Sequence, residues 1–145
     1  MTSETYVVAY ECVEDDESVL DYAIASAKKT GAGLHIVHIL EWSPYTFLTP
    51  QEIEERHGRR KEELTRAKEA LLEPAMARVK AAGVPVDGEI RYGSIAELVV
   101  AITKEVNGTM IYVGRSGMHS ISARVFGSVP LGLAQIAHVP TVIVP

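Results

Sequence analysis

The chain has one cysteine, Cys12, so no disulfide can form within it and a reducing, cytoplasmic setting is the expectation. Basic residues are also in deficit. Fourteen Lys and Arg face 19 Asp and Glu, a net charge of -5, whereas proteins that grip a nucleic-acid backbone gather Lys and Arg on one face. Nucleic acid is therefore not an expected partner. No apolar run approaches the roughly 18–20 residues of a membrane span, and Met1-Thr2-Ser3-Glu4 carries neither the basic flank nor the apolar core of an export signal. No membrane association is expected.

Familiar reaction motifs are missing as well. G-x-x-x-x-G-K-[ST], G-x-G-x-x-G after the first apolar run, H-E-x-x-H and G-x-S-x-G do not occur. A P-loop NTPase, a dinucleotide-binding Rossmann protein, a zincin and an α/β-hydrolase thus lose their signatures. The carboxylates of residues 52–73 alternate with Lys and Arg in the Glu-first i,i+4 order, the pattern of a solvated helix face. No catalytic residue is assigned, and no metal ligand set is found.

What remains is an ordinary balance of 47% apolar and 23% charged residues over 145 positions, enough for one domain with a real core. Residues 6–10 and 34–40 are short apolar runs of the kind covered on both faces of a parallel sheet. Residues 84–91, 110–113 and 141–144 are the third, fourth and last strand candidates. Between them lie helical patterns. The first opens at Glu14-Asp15-Asp16-Glu17 and closes at Gly31, where carboxylates meet the positive end of the dipole and glycine suits the C′ position. A long one spans residues 52–82, with a late start, kink or break expected at Gly58 or Pro74. Ser94-Ile95-Ala96-Glu97 reads as a capping box, Asn107-Gly108 breaks the helix that follows, and Ser128 reads as the N-cap of a last helix through Ala137. Residues 41–50 hold Trp42, Pro44, Tyr45, Phe47 and Pro50 and read as a packed loop. His35 and His38 share a strand at odd separation, so they face opposite ways and cannot jointly hold a metal.

The β-α-β-α-β-α-β-α-β order implies a doubly wound α/β domain, a parallel sheet with helices on both faces. Ligands in such sheets bind beyond the carboxyl ends of the strands where strand order reverses. The segment after the fourth strand has the composition for it. Gly114-Arg115-Ser116-Gly117 is followed by nine residues and then Gly127-Ser128-Val129: glycines let backbone approach a ligand, and Gly-Ser before a helix aims N–H groups at an anion. Two readings stay open for Arg115, Arg124 and His119, which either meet phosphate or lie in solvent.

This G-x2-G-x9-G-[S/T] spacing resembles the ATP-binding branch of the universal stress protein family, and the likeness runs over residues 1–145, including His38-Ile39, Gly93 and the closing Val139 to Val144. The resemblance implies a five-stranded sheet in the order 3-2-1-4-5 forming one nucleotide-binding domain. It implies ATP as cofactor, with Mg²⁺ or Mn²⁺ bridging its phosphates. Triphosphate and ribose fall to Gly114, Arg115, Ser116, Gly117, Met118, His119 and Ser120, with Gly127, Ser128 and Val129. Adenine falls to the main chain of Ile39, with Ala9 beneath the nucleotide. Where the family usually leaves strand one as Asp-Gly-Ser, this chain has Glu11-Cys12-Val13, and Thr109 stands where an acid often precedes strand four. A homodimer through the edge strand Thr141–Val144 is implied too. The expected function is a nucleotide-dependent stress-response regulator or sensor, probed against a nucleotide-free interaction protein of the same fold. An adenylyl transferase lacks its His-x-Gly-His or Ser-Gly-Gly signature.

Overall fold

The computed structural model describes residues 4–10, 16–41, 49–115 and 129–145. Along them run β1 (Thr5–Ala9), α1 (Asp16–Thr30), β2 (Gly33–Glu41), α2 (Pro50–Ala67), a π-helical turn (Lys68–Leu72), α3 (Glu73–Ala81), β3 (Val86–Gly93), α4 (Ile95–Glu105), β4 (Met110–Gly114), α5 (Val129–Ile136) and β5 (Thr141–Val144). The strands make one five-stranded sheet in the order β3-β2-β1-β4-β5, every neighbouring pair parallel. The expected topology is the observed one.

Strand periodicity sorts the core into two layers. Tyr6, Val8, Leu34, Ile36 and Tyr112 face α1 and α3, where Leu20, Ala23, Ala27, Ala75 and Val79 cover them. Val7, Ala9, Val37, Ile39, Ile111 and Val113 face α4 and α5 and meet Val99, Ile102 and Leu133. Each fully buried Val, Leu or Ile contributes about 1.5–3 kcal/mol, so both faces of the central strands are anchored. Among the described residues, no helix is long and apolar enough to cross a membrane.

Helix ends follow local chemistry. Gly31 takes φ +75° and its N–H and that of Ala32 both return to the Ala27 carbonyl, at 2.8 and 3.0 Å, closing α1 as a left-handed cap. Asn107 does the same for α4 at φ 55°, with the Gly108 N–H on the Thr103 carbonyl at 2.8 Å. The capping box expected at Ser94 is not formed, since the Ser94 side chain makes no capping bond. One stands instead at Thr49: its hydroxyl takes the Glu52 N–H and the Glu52 carboxylate takes the Thr49 N–H, each at 3.2 Å.

The long helix neither starts late nor breaks at Gly58, which lies inside α2 with open space where a side chain would go. The disruption comes just before Pro74. Proline has no N–H to return to the residue four back, and the preceding turn widens so that the Glu73 N–H bonds the Lys68 carbonyl five residues back.

Candidate functional site at the sheet's carboxyl edge

β1 stops first. Its last residue, Ala9, sits between Val37 of β2 and Val113 of β4. β2 runs on through Glu41, paired with β3 as far as Gly93, and β4 runs on to Gly114 against Val144. Unequal strand lengths thus cut a notch with Ala9 as its floor and β2 and β4 as its sides. The helices that follow β1 and β4, α1 and α5, pack on opposite faces, so the notch is where strand order reverses. Open α/β sheets take ligands at that place.

Main-chain alternation equips the β2 side. The Val37 carbonyl faces β1 and accepts the Tyr10 N–H at 2.9 Å. In a parallel strand, residues two apart direct their amide and carbonyl the same way, so those of Ile39 face β1's side beyond the end of that strand. The Ile39 side chain is buried in the layer under α4 and α5, which holds this stretch of backbone in place. A main-chain donor and acceptor at a fixed spacing can read the edge of a heterocyclic base.

His38, next to it, points to the opposite face. It is buried, and Nδ1 lies 2.7 Å from the Tyr10 carbonyl oxygen. A carbonyl only accepts, so Nδ1 carries the proton and donates. The bond ties the residue after β1 to β2 at the rim of the notch. Sequence reasoning left His38 as a packed or hydrogen-bonded side chain; the signal for more was a polar residue interrupting an apolar strand one position before the candidate base contact.

Of the candidate site residues, Ala9, Ile39 and Gly114 stand on the carboxyl edge of adjacent strands. Arg115 is exposed, its N–H on the Val144 carbonyl at 2.8 Å. Val129 opens α5 and packs against the layer that contains Ala9 and Ile39. Helices in this topology run back from the carboxyl edge, so the first turn of α5 presents the positive end of its dipole to that side. Glu11, Cys12, Ser116, Gly117, Met118, His119, Arg124, Gly127 and Ser128 lie outside the described residues. Thr109 stands at the amino end of β4, its N–H on the Thr5 carbonyl at 2.9 Å. It is at the wrong end of the sheet to affect base recognition.

His35 belongs to a separate chain of polar groups beneath α4. Its Nε2 meets Glu89 Oε2 at 2.8 Å, Glu89 Oε1 meets Arg91 Nε at 2.5 Å, and Arg91 reaches Glu105 at 2.6 Å. The bond to Arg91 holds the Glu105 carboxyl below the usual range, and Glu105 in turn raises the guanidinium. The two histidines are on opposite faces, as their spacing predicts. Among the described residues, no group of three His, Cys, Asp or Glu could hold a metal ion.

Fold and notch define an open-sheet α/β protein whose strand order reverses between β1 and β4. A family model described as the universal stress protein family matches residues 3–145. The chain belongs to the universal stress protein family. No curated protein matches it. Among solved structures, it is similar to a universal stress protein from Archaeoglobus fulgidus DSM 4304 at 25% identity and a TM-score of 0.66, covering 97% of this chain but 43% of that one. The chain thus spans less than half the length of that relative. A universal stress protein in complex with cAMP shares 23% identity and a TM-score of 0.73 over 100% of this chain and 98% of the other. One from Archaeoglobus fulgidus in complex with dAMP shares 19% identity and a TM-score of 0.62, covering 99% and 98%.

Proposed function

We propose that this chain is a single nucleotide-binding domain, working in the cytoplasm as an adenine-nucleotide-dependent regulator, with ATP as the ligand. The observation that carries the reading is the Ile39 main chain facing the notch left where β1 ends. Adenine lies against it with Ala9 below and Glu11 beside base or ribose. Phosphates extend across Gly114 towards Arg115, Ser116, Gly117, Met118 and His119, and towards Gly127, Ser128 and Val129 at the start of α5. Relatives captured with cAMP and with dAMP support an adenine nucleotide as the class. A divalent ion is held by the phosphates, Mg²⁺ or Mn²⁺ serving equally, because phosphate oxygens and water complete its shell without a protein cage. The role is binding; no side chain is assigned as a hydrolytic base.

Calorimetric titration with ATP, AMP and GTP in the presence of Mg²⁺ tests this. ATP and AMP are expected to give saturable heats and GTP a weaker one, since guanine exchanges the donor and acceptor that adenine shows to Ile39. Silent titrations at millimolar nucleotide would instead make the chain an interaction protein.

The regulator is further proposed to act as a homodimer through β5. Among the described residues that strand pairs with β4 alone in the sheet, and Ile143 on it, with Leu131 and Ile136 on α5, is nearly half exposed. An open edge with apolar side chains invites pairing with a second copy. Ile143→Glu places like charges at a two-fold contact and is expected to shift the mass in solution from dimer to monomer, as sedimentation would show. An unchanged dimer moves the interface elsewhere.

A further inference from the structure

On the far side of the sheet, a cleft of about 330 Å³ opens between the end of α2 and the free edge of β3. Leu64, Thr65, Lys68 and Leu72 form one wall and Gly88 and Ile90 the other. Leu72 is buried and Leu64 and Ile90 are half-buried, so the cleft combines an apolar floor with a polar rim of Thr65, Lys68 and Gly88. Its side-chain polar groups on the helical wall are the exposed Lys68 ammonium and the Thr65 hydroxyl, whose proton goes to the Lys61 carbonyl. The Lys68 ammonium makes no hydrogen bond or ion pair among the described residues. Lys61 precedes it by two turns, on the same stripe of α2.

The β3 wall adds a main-chain donor. The Gly88 N–H is capped by the Asp87 carboxylate at 2.8 Å and not by β2, which shows that Gly88 directs its amide to the free edge. By alternation Ile90 does likewise, and there it meets the cleft. Glu89 also borders the cleft, but its two carboxylate oxygens are engaged by His35 and Arg91 on the opposite face. These bonds hold the carboxylate on the α4 face of the sheet, away from the cleft. The π-helical turn supplies both Lys68 and Leu72 to the wall, and such widened turns recur at binding sites.

We propose that this cleft binds a small amphipathic carboxylate, its chain against Leu64, Leu72 and Ile90 and its head between the Lys68 ammonium and the Ile90 amide. One cation and one amide match a single carboxylate. The apolar walls match a short alkyl body, and the volume is at the small end of ligand sites. The site is remote from the notch and independent of nucleotide binding.

Octanoate titrated into ¹⁵N-labelled protein is the probe, with 1-octanol as its uncharged counterpart. The amide signals of Lys68, Leu72, Gly88 and Ile90 are expected to move together and saturate with octanoate. Octanol should bind more weakly. Lys68→Glu should weaken octanoate about tenfold or more, the scale of one charge-assisted bond, while leaving octanol and the thermal midpoint unchanged; Lys68→Gln gives the same direction without a new charge. Shifts that stay linear, that scatter over the surface, or that survive Lys68→Glu at full affinity would overturn the assignment. So would octanol binding as tightly as octanoate.

Discussion

Leu133→Ala is expected to destabilise the chain by about 2–5 kcal/mol and to weaken ATP by tenfold or more. The expected effect is large because Leu133 is the largest fully buried side chain of α5. The helix is eight residues long, shorter than any helix that persists on its own in water. Its buried side chains are Pro130 and Leu133, while Leu131 and Ile136 face outwards. Leu133 is fully buried in the same layer as Ala9, Ile39 and Val113. Removing its isobutyl group leaves a cavity under the helix and releases the first turn, where Val129 begins the proposed phosphate contact. Urea unfolding measures the stability and calorimetry the affinity. A variant that loses the stability but binds ATP as the parent does would show that the phosphates are not held at α5, and the proposed orientation of the nucleotide would be reversed or wrong.

The sheet was readable from sequence because its information is local and repeated. Runs such as Tyr6 to Ala9 and Leu34 to Ile39, the latter broken only by His35 and His38, are short, apolar and β-branched, as a strand covered on both faces requires, and Gly31, Gly83 and Asn107-Gly108 mark helix ends by a backbone preference that belongs to the residue itself. Gly83 takes φ +83° as its place predicts. What was not readable depends on pairs of distant segments. The notch exists because β1 ends four residues before β2 in their mutual register, and no local pattern records one strand's end relative to another's. The Thr49 box was hidden for a different reason: Pro44, Phe47 and Pro50 made the surrounding stretch read as loop, although Thr-Pro-Gln-Glu holds the capping spacing. Ser94 and Glu97 had that spacing without forming the bond, so the motif permits a cap and does not compel one. Pro74 predicted a break correctly in kind, but the adjustment is spread over the turn before it, since the missing N–H is absorbed upstream. In the candidate site, the positions on strands and on α5 have a structural setting; the roles of Glu11 and of the loop from Ser116 to Ser128 rest on the family spacing alone.

His38→Phe should cost about 1 kcal/mol, the scale of the lost bond from Nδ1 to the Tyr10 carbonyl, and should also weaken ATP. The second effect distinguishes a positioning residue from a packing one. Tyr10 is the first residue after β1, and the imidazole adds a second tie to the bond between its N–H and the Val37 carbonyl, holding it on β2 beside Ile39; without the imidazole one of these two ties at the rim of the notch is lost. Phenylalanine keeps a flat aromatic ring, slightly larger than imidazole, and removes the proton donor. Glutamine, whose amide can reach a neighbouring carbonyl, should recover part of the affinity. His35 is the control. It pairs with Val7 in the sheet, two positions before Ala9, and its hydrogen bond is to Glu89 on the far strand. His35→Phe removes one partner of a half-buried carboxylate and should lower stability by a similar amount, yet it touches nothing at the rim, so ATP affinity is expected to stay within twofold of the parent. Equal losses of affinity in both variants would mean that binding follows overall stability, and the bond from His38 to Tyr10 would then have no separate part in shaping the notch.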